Sequence, residues 1–398
     1  MLPVELAPQI HWIGVNDRAT TLFESIWPIP GGVSYNSYLI KDEKSAVIDI
    51  SKEMMAGEYL AQLQELVDLS TLSYIVVNHM EPDHSGALRL LRHLAPNAVI
   101  LCTQKAKDML AAYYNITENV QVVADGQTVS LGQHTLKFVG TPFVHWPETM
   151  MTYETTTQIL FSCDGFGGYG ALPGVIFDDE YANLAAYEAE SLRYFTNIVS
   201  VFSKPVLTAI SKLSNVPVNA IAPSHGLVWR KNPDRIIELY RQWSTYATSG
   251  GQPGVTLLYA SMYGNTERAM EAVAQGLAKE KLPFNIFNVS TTHVSYILPS
   301  LWSLQGVVVG APTYEGSLFP PMQQVLDMAA GKKVSAKKLA VFGSYGWKSS
   351  TQAAFQTICE NAKWEMISSF EFLGGPTAET LRSCVELGSG FAQKIKGG

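Results

Sequence analysis

The stretch His79-Met80-Glu81-Pro82-Asp83-His84-Ser85-Gly86 places four metal-capable side chains directly after an apolar, strand-like run, Tyr74 to Asn78. A buried strand is a rigid mount, and side chains at its mouth can be aimed at one point. Two histidines and two carboxylates make a mixed nitrogen and oxygen donor set. The oxygen share turns preference away from a histidine-rich zinc pair and toward hard, redox-active iron.

One loop cannot enclose two irons, so further ligands are expected from later strand ends. His145 lies in TPFVHWPETM after a strand predicted over 135 to 139. Asp164 lies in LFSCDGFGG, between an apolar strand and a glycine-rich loop, and His225 closes the apolar run in NAIAPSHGL. Taken singly, each reads more readily as a hydrogen-bonding or turn residue. Their succession behind the first loop is what points to a metal site. Asp164 is the expected bridge, because one carboxylate can bind two cations and lessen their repulsion. Asp49, ending AVIDI, reads as a supporting or turn residue, while His11, His93, His134 and His293 lack such context and read as structural.

At 398 residues the chain is too long for one ordinary core, and two domains are expected. Apolar residues at 47% and charged residues at 16% suit a globular enzyme rather than a disordered chain. The net charge of −7, without long runs of either sign, speaks against a nucleic-acid surface. No apolar run reads as a membrane span, and MLPVELAPQIHWIG does not read as a secretory signal, so a cytoplasmic location is expected. Cys102, Cys163, Cys359 and Cys384 show no CxxC spacing and read as core thiols.

The segment ATSGGQPG, residues 247 to 254, reads as a linker, dividing the chain into 1–249 and 250–398. Before it, strand-like runs over 34–40, 46–50, 74–78, 98–102, 135–139, 149–153 and 159–162 mix with helical patterns, which fits two sheets flanked by helices. After it, strands over 255–260, 284–289, 306–310 and 339–343 alternate with helices beginning at Thr266, Pro321, Ser350 and Ala378. That order predicts a doubly wound parallel sheet.

In the second part, Ser261, Met262, Tyr263, Gly264, Asn265 and Thr266 join a buried strand to a helix start, where backbone N–H groups and hydroxyls can cradle a phosphate without a lysine. Neither the Gly-Lys-Ser/Thr signature of ATP loops nor GxGxxG is present. Two further loops, with Pro312, Thr313, Tyr314, Glu315 and Gly316, and with Ser344, Tyr345, Gly346, Trp347 and Lys348, are expected at the same sheet edge. There an FMN ring could pack against Tyr314 and Trp347.

The first loop resembles the HxHxDH loop of the metallo-β-lactamase fold, with Glu81 where that loop carries its second histidine. Together HMEPDHSG, His145, Asp164, His225, SMYGNT, APTYEG and GSYGWK resemble the flavodiiron proteins over nearly the whole chain. The resemblance implies a metallo-β-lactamase-like αββα sandwich followed by a flavodoxin-like domain, holding two irons and FMN. It also implies reduction of dioxygen to water or of nitric oxide to nitrous oxide. By the same resemblance His79, Glu81 and His145 hold one iron, Asp83, His225 and either His84 or water hold the other, and Asp164 holds both. Electrons are expected from a separate donor such as rubredoxin, a reductase or a reduced deazaflavin, because the chain ends after the flavodoxin-like part. A head-to-tail homodimer, or a dimer of dimers, is the implied assembly. Two other classes fit parts of the pattern: a metal-dependent hydrolase fused to a flavodoxin domain, against which Glu81 speaks, and an electron carrier with a vestigial metal site, against which the full ligand set speaks.

Overall fold

The structure is a computed structural model that describes residues 1–349 and 351–397. It forms two compact units, Met1–Arg241 and Gln242–Gly398. Among the described residues no helix is long and apolar enough to cross a membrane.

The first unit is built on two sheets. Seven strands run in the spatial order Val4–Ala7, Ile10–Trp12, Tyr38–Ile40, Ala46–Ile48, Tyr74–Val76, Val99–Cys102 and Val120–Val122, antiparallel at the N-terminal end and parallel from Ala46–Ile48 onward. Five strands make the second sheet: Thr128–Ser130, Thr135–Gly140, Met150–Glu154, Ile159–Cys163 and Ala220–Pro223, the last pair parallel. The strands Ala46–Ile48, Met150–Glu154, Ile159–Cys163 and Ala220–Pro223 are buried at every position. This is why Ala46–Ile48 and Ala220–Pro223 read as continuous apolar runs and not as alternating ones. The expected two-sheet architecture is what forms. The predicted strand over 34–40 is two strands, Val33–Tyr35 and Tyr38–Ile40, which pair in different sheets.

The second unit is a parallel sheet in the order Phe284–Asn288, Gln252–Tyr259, Leu304–Tyr314, Lys338–Tyr345 and Glu365–Leu373, with the short strand Ser317–Leu318 antiparallel beside Leu304–Tyr314. The second strand in sequence thus lies outside the first, and the order then runs outward the other way, leaving a switch point beside the first strand. Helices Asn265–Lys279 and Ala378–Lys396 pack closely: a Cβ on Gly276 would fall 2.1 Å from the Val385 carbonyl oxygen, and one on Gly388 would fall 2.2 Å from that of Val273. Val255, Leu257, Val273, Leu277, Phe342 and Phe391 lie in the core of this unit.

Three features differ from the sequence reading. Helix Val294–Ser303, with Pro299 inside it, and strand Glu365–Leu373 were not anticipated. The proposed linker is mostly regular structure: helix Pro233–Ser249 continues through Ala247, and strand Gln252–Tyr259 starts at Gln252, leaving only Gly250 and Gly251 between them. Their φ values of 76° and 103° explain the glycines, which form a two-residue connection. The connection is tied to the sheet by the buried Lys337, whose Nζ donates to the carbonyls of Gly250, Trp302 and Leu304 at 2.6, 3.0 and 2.8 Å. Burial pushes this ammonium down to about 7. The helix expected from Ser350 is described from Thr351, and Ser350 lies outside the described residues.

Candidate metal centre and flavin edge

Local turn chemistry splits the first loop between two positions. Pro82 opens a one-turn helix, Pro82–Ser85, with Glu81 at its N-cap, and the His84 N–H donates to the Glu81 carbonyl at 2.9 Å. The Ser85 hydroxyl fixes the turn by donating to the carbonyls of Met80 and Glu81 at 2.9 and 3.0 Å. His79, Glu81, His145 and Asp164 then form one cluster of donor atoms within 4.8 Å of one another, and Asp83, His84 and His225 form a second. Asp164 reaches both. Its Oδ2 lies 3.3 Å from His79 and 3.2 Å from His145, while its Oδ1 lies 3.0 Å from His84 and 3.3 Å from His225. All seven residues singled out in the sequence are thus together, and His11, His93, His134 and His293 are in neither cluster.

The cluster is buried, and its electrostatics follow from that. Burial alone would drive the imidazoles toward neutrality. The carboxylates override it, raising His145 to about 9 through Asp164 and Glu81 and His225 to about 10 through Asp164 and Asp83. His79 is raised as well, through Glu148 and Glu81. Burial opposes ionisation of Glu81 and Asp164 too, yet the surrounding histidines hold both well below the usual carboxylate range. Glu81 and Asp164 with His79, His145 and His225 therefore hold charge where cations would otherwise sit. Asp83 Oδ1, Asp164 Oδ2 and His225 Nε2 are buried and face their neighbours across 3.2 to 3.5 Å without a well-aligned hydrogen bond among the described residues. Two metal ions would satisfy these orphaned atoms, so the donor set fits a diiron site. Cys163 also lies close, but burial pushes its thiol up and keeps it protonated.

Residues the sequence reading did not anticipate orient this set. Glu148 accepts from His79 Nδ1 at 2.6 Å, the Ser34 carbonyl accepts from His225 Nδ1 at 2.7 Å, and the Tyr194 hydroxyl donates to Asp164 at 2.9 Å. None has a sequence signal, because each partner is 30 or more residues away. Asp49 takes the supporting place expected of it, accepting from the backbone and side-chain amides of Asn78 at 2.8 and 3.0 Å. A cavity of about 280 Å³, lined by Tyr35, Lys52, Glu81 and Asp83 among others, leads to the cluster.

In the second unit the carboxyl ends of three strands enclose a cavity of about 400 Å³. Its walls are residues 261–263, 265, 266, 312–315 and 344–347, so the three loops singled out in the sequence do converge. Gly374, after the unanticipated strand, adds a fourth side, whereas Gly264, Gly316 and Lys348 do not line the cavity. Gly264 and Gly316 have φ values of 84° and 75° and shape the loops instead. Thr266 and Ser344 join two of the loops through a 3.0 Å hydroxyl contact. Tyr263 and Trp347 are about nine-tenths exposed, an unusual setting for aromatic rings unless a flat ligand covers them. Ser261 Oγ is buried without a partner among the described residues beside the start of helix Asn265–Lys279, where a phosphate oxygen would satisfy it. These residues fit FMN.

Comparison with known proteins agrees over both units. Residues 33–226 match a family described as ODP family beta lactamase, and residues 257–388 match the flavodoxin family. A nitric oxide reductase of Moorella thermoacetica is 34% identical, covering 99% of each chain. The rubredoxin oxygen:oxidoreductase of Desulfovibrio gigas superposes with a TM-score of 0.94 at 25% identity over 99% of each chain. The flavodiiron protein of Giardia intestinalis gives 0.94 at 27% identity, covering 100% of this chain and 97% of its own. Sequence, fold and buried donor set converge: the chain belongs to the flavodiiron protein family.

Proposed function

We propose that this protein reduces nitric oxide to nitrous oxide, dioxygen to water, or both, with electrons entering through FMN from a separate donor. The observation that carries this reading is Asp164, placed between two donor clusters so that one carboxylate faces four imidazoles. Bound there, two irons would supply a reversible ferric/ferrous couple and FMN would supply two further electrons. His79, Glu81 and His145 are assigned to one iron, Asp83, His84 and His225 to the other, and Asp164 to both. The buried Tyr194 phenol, pushed up by burial and by the neighbouring Asp164 charge, keeps its proton and donates it in a hydrogen bond to the shared carboxylate. Glu81 in place of a histidine speaks against the hydrolase reading, and the complete donor set speaks against a carrier with a vestigial site.

A rubredoxin-type donor fits the names of related proteins, and a reductase or reduced deazaflavin would serve the same chemistry. The four free cysteines support a reducing compartment, and we assign the protein to the cytoplasm. A head-to-tail homodimer, alone or paired as a dimer of dimers, completes the proposal by setting one protomer's FMN against its partner's irons. Anaerobic turnover of the reduced, iron-loaded protein with each gas tests the function: consumption of neither gas by protein holding two irons and FMN per chain would overturn it. Mixing full-length His79→Ala with a variant disrupted in residues 261–266 tests the assembly. Exchange should restore part of the activity, and no recovery in verified heterodimers would exclude transfer across the interface.

A further inference from the structure

The four histidines of the metal cluster are not backed alike. His79 Nδ1 meets a carboxylate, Glu148 Oε1 at 2.6 Å, whereas His225 Nδ1 meets a neutral carbonyl, that of Ser34 at 2.7 Å. His84 Nδ1 is buried and has no partner among the described residues. We infer that Glu148 is a positioning residue that makes the two iron positions unequal, holding the His79 position as the tighter one and the more readily oxidised. The inference rests on the proposed assignment of His79 and its neighbours to iron.

The geometry is specific. His79 is fully buried and Glu148 is 1% exposed, so solvent screens the pair little. The same Oε1 accepts from the Met80 N–H at 3.0 Å, which clamps the carboxylate against both the backbone and the ring of the metal loop. The Thr103 hydroxyl in turn donates to the Glu148 carbonyl at 2.8 Å. Glu148 also shares a loop with His145, so a single segment supplies one donor to the cluster and the support for another. Counted by charge, the His79 position has Glu81 and a share of Asp164, with Glu148 behind. The His225 position has Asp83 and a share of Asp164, with a neutral carbonyl behind. A carboxylate behind a ligating imidazole fixes its tautomer and raises its basicity, and the additional negative charge favours the more highly charged ferric state.

The test uses full-length, metal-free protein titrated anaerobically with ferrous ion. In the wild type, iron supplied at one equivalent should occupy a single environment by Mössbauer spectroscopy; an even spread over two environments overturns the inference without any variant. Glu148→Gln keeps the shape and an acceptor but removes the charge. It should weaken the tighter site by about 10- to 100-fold, leave the weaker site unchanged, and raise the potential of one iron without moving the FMN couple. Glu148→Ala, which removes the acceptor as well, should weaken the same site further. Equal loss at both sites, or an unchanged first affinity in Glu148→Gln, overturns the inference. Wild-type protein that takes up no iron would instead overturn the metal assignment beneath it.

Discussion

Replacing Asp164 by Asn leaves the side-chain volume nearly unchanged and removes the charge at the centre of the cluster. In the metal-free protein that charge has a defined consequence for stability. Burial lowers the basicity of His145, and hydrogen bonds that its ring donates to Asp164 first and Glu81 second carry it up to about 9. A folded value above the unfolded value near 6.5 means that the contribution is fully present below pH 6.5 and is lost as pH rises through about 9. At roughly 1.4 kcal/mol per unit the shift corresponds to about 3 kcal/mol. Because Asp164 and Glu81 share the effect, about half, on the order of 1 to 2 kcal/mol, should vanish in Asp164→Asn. His225, raised to about 10, leans on the same carboxylate, so its contribution belongs to one coupled assembly and is not added. Lys337 works in the opposite direction, since a depressed ammonium contributes more as pH rises from about 7 to 10.5, but both proteins carry it and the difference cancels. The assay is anaerobic denaturant unfolding of both metal-free proteins at pH 6, 8 and 10, with iron retention measured in parallel. Wild-type stability should fall more steeply across this window than that of Asp164→Asn, and the variant should lose at least one iron per chain. Equal pH dependence with both irons retained would refute the placing of Asp164 at the hub.

Two further substitutions separate the metal site from the flavin site. Glu81→His restores a histidine-rich set and should shift the purified protein from iron toward zinc by on the order of tenfold, abolishing gas reduction while FMN stays bound; elemental analysis with flavin absorbance reads both, and an unchanged iron content with full activity would count against the carboxylate argument. Ser261→Ala removes the buried hydroxyl expected to donate to the FMN phosphate, a charge-assisted bond of about 1.5 to 3 kcal/mol, so the dissociation constant should rise roughly 10- to 150-fold. Unchanged affinity in a fluorescence titration would move the phosphate elsewhere in the cavity.

Much of the candidate site was legible because its donors end strands or open the turn after one, where a short apolar run followed by a polar residue is visible locally. His79, Asp164 and His225 are each announced this way, and SMYGNT, at the mouth of a strand and the start of a helix, is noticed by the same logic. Glu148 and Tyr194 were not, because nothing near them in sequence differs from an ordinary loop or helix residue; their roles exist only through His79 and Asp164, 69 and 30 residues away. The misread linker has a similar cause. Glycines mark a long tether or a short connection equally well, and what makes 250–251 a short one is the continuation of the helix through Ser249 and the Lys337 ammonium holding the Gly250 carbonyl.

What the chain determined by itself was therefore the menu: two α/β units, seven metal-capable residues, and three glycine-bearing loops suited to a phosphate and a flat ring. These are local properties, set by side-chain chemistry and by the period of apolar residues. Tertiary structure decided how the menu is combined. Packing of the two sheets brings His79 and His225 to the same carboxylate, and strand order places a switch point between the flavin loops. Burial by itself lowers the basicity of His145 and His225, and the carboxylates of Asp164, Glu81 and Asp83 that packing sets against them raise it past the ordinary value. That last effect has no sequence counterpart, since the same residues in an unfolded chain would titrate at their ordinary values.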